Sequence, residues 1–410
     1  MNSATLVAGV DTRRLQRLSA HLQRQYLEPG RIPGYQLLVA RRGQVLLQES
    51  CGLMDVARAR PMQDNALFRI YSMTKPITTV ALMMLYEEGC FLLNDPVQRF
   101  IPRWKDQRVW ISGAGADMQT RPPRQPMTMR HLLNHSSGLT YGAALLPAGA
   151  KVDPVDQVYR DLQLNTRSGD TLAQFIDKLA QVPLRYDPGE AWAYSLATDV
   201  CGYLVELISG QPFEQFVQQR IFGPLGMADT FFTVPPDKLP RLSACYRHDP
   251  FKKLVLIDDP QASAWAKVPA LHSGGGGLVS SLADYRRFCD LLLRGGELDG
   301  VRLLGPRTLA LMTANHLPGG KDLTQLAIGA FSETQHQGVG FGLGFATTLG
   351  EVQAGALGAG DFYWGGMAST LFWVDPREDL QLIFLTQLVP SSTYNLRGQF
   401  KNIVYSALVD

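Results

Sequence analysis

Leu67-Phe68-Arg69-Ile70-Tyr71-Ser72-Met73-Thr74-Lys75 runs from a short apolar segment into a long, helix-patterned one. Its last four residues set a hydroxyl and an amine three positions apart. Residues i and i+3 share one face of a helix, so a serine at the helix start has a lysine one turn along, pointing the same way. That pairing is a nucleophile with its own candidate base. Ser72 is a favoured N-cap type. Pro76 falls in the first helical turn, where a missing N–H costs little. Val80, Met83, Met84 and Cys90 flank a stretch that ends at Glu87-Glu88-Gly89, with Gly89 as the C-terminal stop. Standing alone, the tetrapeptide also reads as a plain helix cap followed by a solvated lysine.

Upstream, Asp11 is placed to cap a helix that carries Leu15, Leu18, Leu22 and Tyr26 on one side. Tyr35 to Ala40 and Val45 to Gln48 are apolar runs split by Arg41-Arg42-Gly43-Gln44, which predicts a β-hairpin. Downstream, Trp104 to Arg124 is rich in Gly, Pro and charge and reads as a long loop. This loop and the stretch from Tyr141 to Asp170 are expected to shape a substrate entrance. The middle of the chain is mainly helical. Leu172, Phe175, Ile176 and Leu179 keep the helical spacing, as do Val200, Leu204, Leu207 and Ile208, and Gly210 ends the latter helix. Beyond the four-glycine stretch Gly274 to Gly277 a helix runs from about Leu282 to Arg294. Strand signals then dominate: Val339 to Thr347, Ser369 to Val374 and Leu380 to Thr386. A last helix carries Ile403, Val404 and Leu408. The expected architecture is therefore α/β in the α+β sense: one sheet made from both ends of the chain, flanked by helices, with a mainly helical domain inserted. Residues 1–80 and 265–410 would form the sheet domain and 81–264 the helical one, with the site between them.

The chain has 410 residues, 45% hydrophobic and 19% charged, enough for a sizeable core. A net charge of +2 leaves no electrostatic footprint for nucleic acid. Cys51, Cys90, Cys201, Cys245 and Cys289 are odd in number and contain no Cys-x-x-Cys, which argues against a disulfide framework or a zinc site. The N-terminus lacks a basic n-region and an h-region. No run reaches the ~18 apolar residues that span a bilayer. A cytoplasmic protein without a membrane partner is expected.

Ser72 needs a group that manages protons. The seven histidines offer no clear base, and no Gly-x-Ser-x-Gly elbow is present. His131 and His135 are four apart, as zinc ligands on a helix would be. They lack the Glu of His-Glu-x-x-His and run directly into a Ser-Ser-Gly turn, so no metal is assigned. Tyr194-Ser195-Leu196 is the better candidate. It follows the turn Asp187-Pro188-Gly189-Glu190 and precedes a helix, whose N-terminal field favours a phenolate. Lys and Tyr both have free pKa values near 10, so placed together they share protons. A third feature is Tyr363-Trp364-Gly365-Gly366-Met367, leading into a strand. Its glycines allow close backbone approach to a ligand.

These three pieces, in this order, resemble the serine β-lactamase and penicillin-binding superfamily, its class C-related branch, and most of all the family VIII carboxylesterases. The resemblance runs from about Leu37 to Leu385. It takes in Leu132-Leu133-Asn134-His135-Ser136-Ser137-Gly138-Leu139, Pro224-Leu225-Gly226-Met227-Ala228-Asp229-Thr230, and Gly274 to Ser280 followed by Asp284-Tyr285. It implies that Ser72 is the acylated nucleophile, that Lys75 takes or shuttles its proton, and that Tyr194 is the paired general base. The backbone N–H groups of Ser72 and Met367 would form the oxyanion hole. Trp364, Gly365, Gly366, Leu196 and Tyr71 would meet substrate.

Two departures separate the chain from β-lactamases and DD-peptidases. Those enzymes usually have Lys-Thr-Gly where this chain has Trp364-Gly365-Gly366, and Tyr-x-Asn where it has Tyr194-Ser195-Leu196. Trp364 brings no positive charge and Leu196 no hydrogen bond. Both changes match the family VIII esterases. The expectation is a serine carboxylesterase without cofactor, acting on small uncharged esters of short acyl groups. A transesterase, a β-lactamase-like hydrolase and a non-catalytic scaffold are the alternatives.

Overall fold

Arg42 and Gly43 both take positive φ, 51° and 74°, and form a two-residue hairpin turn. The turn joins β1 (Gly34–Arg41) to β2 (Gln44–Asp55), in the expected place, with the second strand running further than its apolar stretch suggested. The computed structural model of the chain describes residues 6–145, 151–328 and 337–410. β2 continues through the short β3 (Arg60–Pro61). The remaining strands of this sheet come from the other end of the chain: β4 (Val339–Phe341), β5 (Ala346–Thr348), β6 (Phe362–Gly365), β7 (Leu371–Asp375) and β8 (Leu380–Leu385). The eight strands lie in the order β4-β5-β6-β7-β8-β1-β2-β3, all antiparallel. The predicted sheet from both chain ends is thus realised.

The single strand expected over Val339 to Thr347 is instead the hairpin β4–β5, because Gly342-Leu343-Gly344-Phe345 breaks it. Gly344 takes a φ of 98°, and a Cβ there would strike the side chain of Thr79.

Helices cover both faces. α1 (Thr12–Leu22) begins where predicted, with the Asp11 carboxylate accepting from the Arg13 and Arg14 N–H groups and Leu15, Leu18 and Leu22 buried. Tyr26 lies one turn further, in a π-helical continuation. α5 (Leu396–Tyr405) packs beside α1, with Phe400 edge-on to Phe384 and Tyr405 stacked on Trp373. On the other face Tyr285 of α4 (Leu282–Leu293) packs against Phe372. Phe372 and Trp373 are neighbours in one strand, so they mark opposite faces.

α2 (Thr74–Glu87) is the central helix, buried from Thr74 to Leu85, and it packs on α3 (Ala197–Ser209). Its apolar residues surround the axis instead of forming a stripe, as a fully enclosed helix requires. The expected domain boundary at 80/81 falls inside this one continuous helix. Gly210 ends α3 in the left-handed region at φ 68°.

Trp104 to Arg124 is not the predicted loop. It contains a hairpin of Val109–Ser112 with Gln119–Arg121. Arg121 grips Asp187 with two bonds of 2.9 and 2.5 Å, and the Arg124 N–H donates to Asp187 at 2.9 Å. The segment therefore braces the turn before Tyr194. The inserted part also holds the strands Cys245–His248 and Leu254–Asp258, paired with each other. Among the described residues no helix is long and apolar enough to cross a membrane. All five cysteines are free.

Candidate active site

Ser72 does not cap α2. It sits in a 3-10 turn, Tyr71–Met73, and the helix begins at Thr74 with no side-chain cap. Capping would point the hydroxyl at the helix N–H groups. Here Ser72 is half-buried and its Oγ lies 3.4 Å from Lys75 Nζ, the predicted pairing across one turn. Tyr71 takes φ 43°, a left-handed conformation that is strained for an aromatic residue, immediately before the nucleophile candidate. Its ring stands edge-on to Trp265 at 5.7 Å.

Lys75 is 1% exposed. Its Nζ donates to the Gly275 carbonyl at 2.5 Å and to Tyr141 Oη at 2.7 Å. It also lies 4.5 Å from the centre of the Tyr194 ring. Burial lowers its pKa to about 7, opposed by the negative charge of Asp199. A neutral amine has two N–H groups and one lone pair. The Gly275 carbonyl can only accept, so it takes one hydrogen. The other hydrogen and the lone pair are left for the hydroxyls of Tyr141 and Ser72, either of which can donate or accept. In its neutral form the amine therefore has a lone pair available to the hydroxyls around it.

Tyr141 is the residue that sequence reasoning missed. Only its position just past the Leu132 to Leu139 motif hinted at it. Its hydroxyl bonds both Lys75 and Tyr194, and burial together with Tyr194 and Asp199 holds its pKa well above the ordinary value. Tyr194 itself lies just ahead of α3, as predicted, among the rings of His135, Tyr141 and Trp364 at 5.1, 5.1 and 5.3 Å. The hydroxyl, amine and phenol candidates do converge.

Trp364 is not an open pocket wall. It is 1% exposed, and its indole N–H donates to Tyr194 Oη at 3.2 Å. Where the β-lactamase pattern has a cation, this chain therefore has a neutral donor aimed at the phenol. Leu196 is buried, with its N–H on the Thr140 carbonyl at 3.3 Å. Gly365 ends β6, and Gly366 follows it. A Cβ on Gly366 would stand 2.3 Å from the Ile70 carbonyl, so only glycine lets this strand end lie against the turn that carries Ser72. Met367, next along, is 38% exposed. Outside regular elements, neither its N–H nor that of Ser72 is taken by a backbone carbonyl among the described residues.

The Gly274 to Gly277 stretch is a close-approach strip between α2 and α3. Thr78 Oγ1 donates to the Gly274 carbonyl at 2.8 Å, and the Leu278 N–H donates to Thr74 Oγ1 at 3.1 Å.

His131 and His135 do not form an i, i+4 pair, because that helix ends at Leu133. His131 Nδ1 accepts from the Thr128 N–H at 3.2 Å, and burial lowers its pKa to about 4. His135 is buried on Ser195 Oγ at 3.0 Å, and burial plus Lys75 keep it neutral. Both are structural. Residues 146–150, inside the expected entrance stretch, lie outside the described residues.

This geometry is matched by kinship. The Beta-lactamase family model covers residues 20–401, and the chain belongs to that family. Protein Rv1367c of Mycobacterium tuberculosis (strain ATCC 25618 / H37Rv) is 34% identical over 371 residues, 90% of this chain and 88% of that one. Esterase EstB of Burkholderia gladioli is 32% identical over 381 residues, 88% of each chain. Among solved structures, EstCE1, described as a hydrolase with promiscuous acyltransferase activity, is similar at a TM-score of 0.77 and 29% identity, covering 96% of this chain and 98% of that one.

Proposed function

We propose that the protein is a serine carboxylesterase that hydrolyses uncharged, short-acyl esters through an acyl-enzyme on Ser72. The observation that carries the reading is the buried Lys75 amine, 3.4 Å from Ser72 Oγ and hydrogen-bonded to Tyr141, which in turn bonds Tyr194. Ser72 Oγ attacks the ester carbonyl as its proton passes to Lys75, with Tyr141 and Tyr194 as the onward relay. The carbonyl oxygen becomes an oxyanion, held by the Ser72 and Met367 N–H groups. The C–O bond to the alcohol then breaks, and the alcohol leaves with the relayed proton. Water adds to the acyl-enzyme by the same route, releasing the acid and restoring Ser72.

The substrate class rests on what the site lacks. Trp364 and Leu196 stand where β-lactam-binding relatives usually carry a lysine and an amide, so an anionic amide substrate loses two partners. The ester activity in the name of EstB supports the same class. Five free cysteines accord with a reducing, cytoplasmic setting.

The test is a panel of p-nitrophenyl esters and nitrocefin beside intact-mass detection of the acylated protein. We expect short-chain esters to turn over fastest, nitrocefin slowly, and a mass increase of one acyl group that is absent in Ser72→Ala. Equal ester turnover by wild type and Ser72→Ala would end the proposal. A second reading, acyl transfer to an alcohol, is favoured by the description of EstCE1. Added alcohol would then divert the acyl group from acid to new ester.

A further inference from the structure

Asp199 belongs to no part of the mechanism above, yet it is 1% exposed and lies in the first turn of α3. Its Oδ1 accepts from Ser273 Oγ at 2.5 Å and from the Gly275 N–H at 3.0 Å. The carbonyl of the same Gly275 accepts from Lys75 Nζ at 2.5 Å. A single glycine thus links carboxylate to amine, N–H on one side and C=O on the other. A Cβ at position 275 would stand 2.5 Å from Asp199 Oδ2, so the glycine is what admits the carboxylate this closely. Oδ2 is shielded from solvent and has no hydrogen-bond partner among the described residues. A buried carboxylate oxygen left without a donor is costly, and a nearby cation is what would offset it.

We propose that Asp199 is a positioning residue for the Ser72–Lys75 centre: it clamps the Ser273–Gly275 turn so that the Gly275 carbonyl seats the amine, and it sets a negative charge behind that carbonyl. The inference rests on the esterase reading for its consequence, not for its geometry. Because a peptide group stands between them, the carboxylate biases the amine toward its protonated form without locking it in a contact ion pair. Burial pulls Lys75 the other way, and Asp199 limits how far. The groups facing Lys75 are Ser72, Tyr141, Tyr194 and His135. Those facing Asp199 are Lys75, Tyr141 and Cys201. None of these is a second carboxylate, so the bias falls to Asp199, whose own pKa burial raises while Ser273, Lys75 and the Gly275 N–H hold it down.

The test compares wild type, Asp199→Asn, Gly275→Ala and Ser273→Ala. Asp199→Asn keeps an acceptor at Oδ1 and removes the charge. The acid limb of kcat/KM on p-nitrophenyl acetate should move to lower pH by about one unit. Gly275→Ala drives the carboxylate away and should move the limb in the same direction, which covers the case in which Asp199→Asn does not fold. Ser273→Ala keeps the charge and should leave the limb in place. The Lys75 titration is read separately by NMR of 13Cε-labelled lysine in a Ser72→Ala background, where no turnover is needed. A downward shift there on adding Asp199→Asn supports the proposal even if the protein hydrolyses no ester. Folded Asp199→Asn and Gly275→Ala proteins with an unmoved lysine titration overturn it, whatever their rates.

Discussion

Strand β6 shows Trp364 to one face of the sheet and Tyr363 to the other, and beyond each lies a buried lysine. On the back face Lys401 meets Asp361 in a contact ion pair of 2.5 Å, donates to Thr348 Oγ1 at 3.2 Å and lies 4.9 Å from the Tyr363 ring centre. On the front face Lys75 also lies over a tyrosine ring, but its contacts are a carbonyl and hydroxyls, and its carboxylate is one peptide removed. Burial lowers both lysines. The difference lies in what opposes it. On the back face a carboxylate in direct contact opposes that lowering and ties the lysine into a buried pair. Neutral acceptors leave the front lysine able to gain and lose a proton. Depth of burial does not distinguish these two lysines; the charge in direct contact does.

The comparison breaks most sharply on activity. Ser72→Ala should lower kcat/KM on short esters by about 10⁴-fold or more, whereas Lys401→Met should leave the rate per folded molecule unchanged. Lys75→Met and Tyr194→Phe should each lose about 10²–10⁴-fold, the range for a proton-transfer group, in stopped-flow acylation assays. If Lys401→Met matched them, the two lysines would not differ in kind.

Stability should reverse the order. Lys401→Met strands Asp361 as a buried lone charge and should cost about 3–5 kcal/mol in urea unfolding. Lys75 carries a pH signature instead. The unfolded chain keeps its lysines protonated up to about pH 10.4, while folded Lys75 releases its proton near pH 7. Between those values the unfolded state binds more protons, so rising pH favours the fold. Relative to Lys75→Met, wild type should gain about 2 kcal/mol between pH 7 and 9, measured by urea titration at each pH. A flat difference would mean the amine stays charged. The smallest expected effect is on the front partner of the pair. Trp364→Phe removes the indole donor to Tyr194 and should slow acylation by up to about tenfold, with KM little changed.

The sheet was legible because strand pattern survives at both ends of the chain. The turn at Arg42-Gly43 and the stop at Gly210 were legible for the same local reason: backbone conformation there belongs to single residues. The hairpin at Val109–Ser112 was not. Its Gly and Pro content reads as loop, and the ion pairs that order it come from Asp187, more than sixty residues later. The helix start was misplaced because a serine that caps a helix and one held in the turn before it look alike in sequence.

What the sequence determined by itself is whatever depends on near neighbours. Ser72 and Lys75 share a helical face, Gly366 gives β6 a bare end, and Tyr194 stands before a helix. The tertiary structure alone decided which groups surround the amine: Tyr141 in contact, Asp199 behind Gly275, and Trp364 turned inward onto a phenol. Proton affinity in a protein interior follows distance, dielectric and the nearest charge, and none of these is written in the order of residues along the chain.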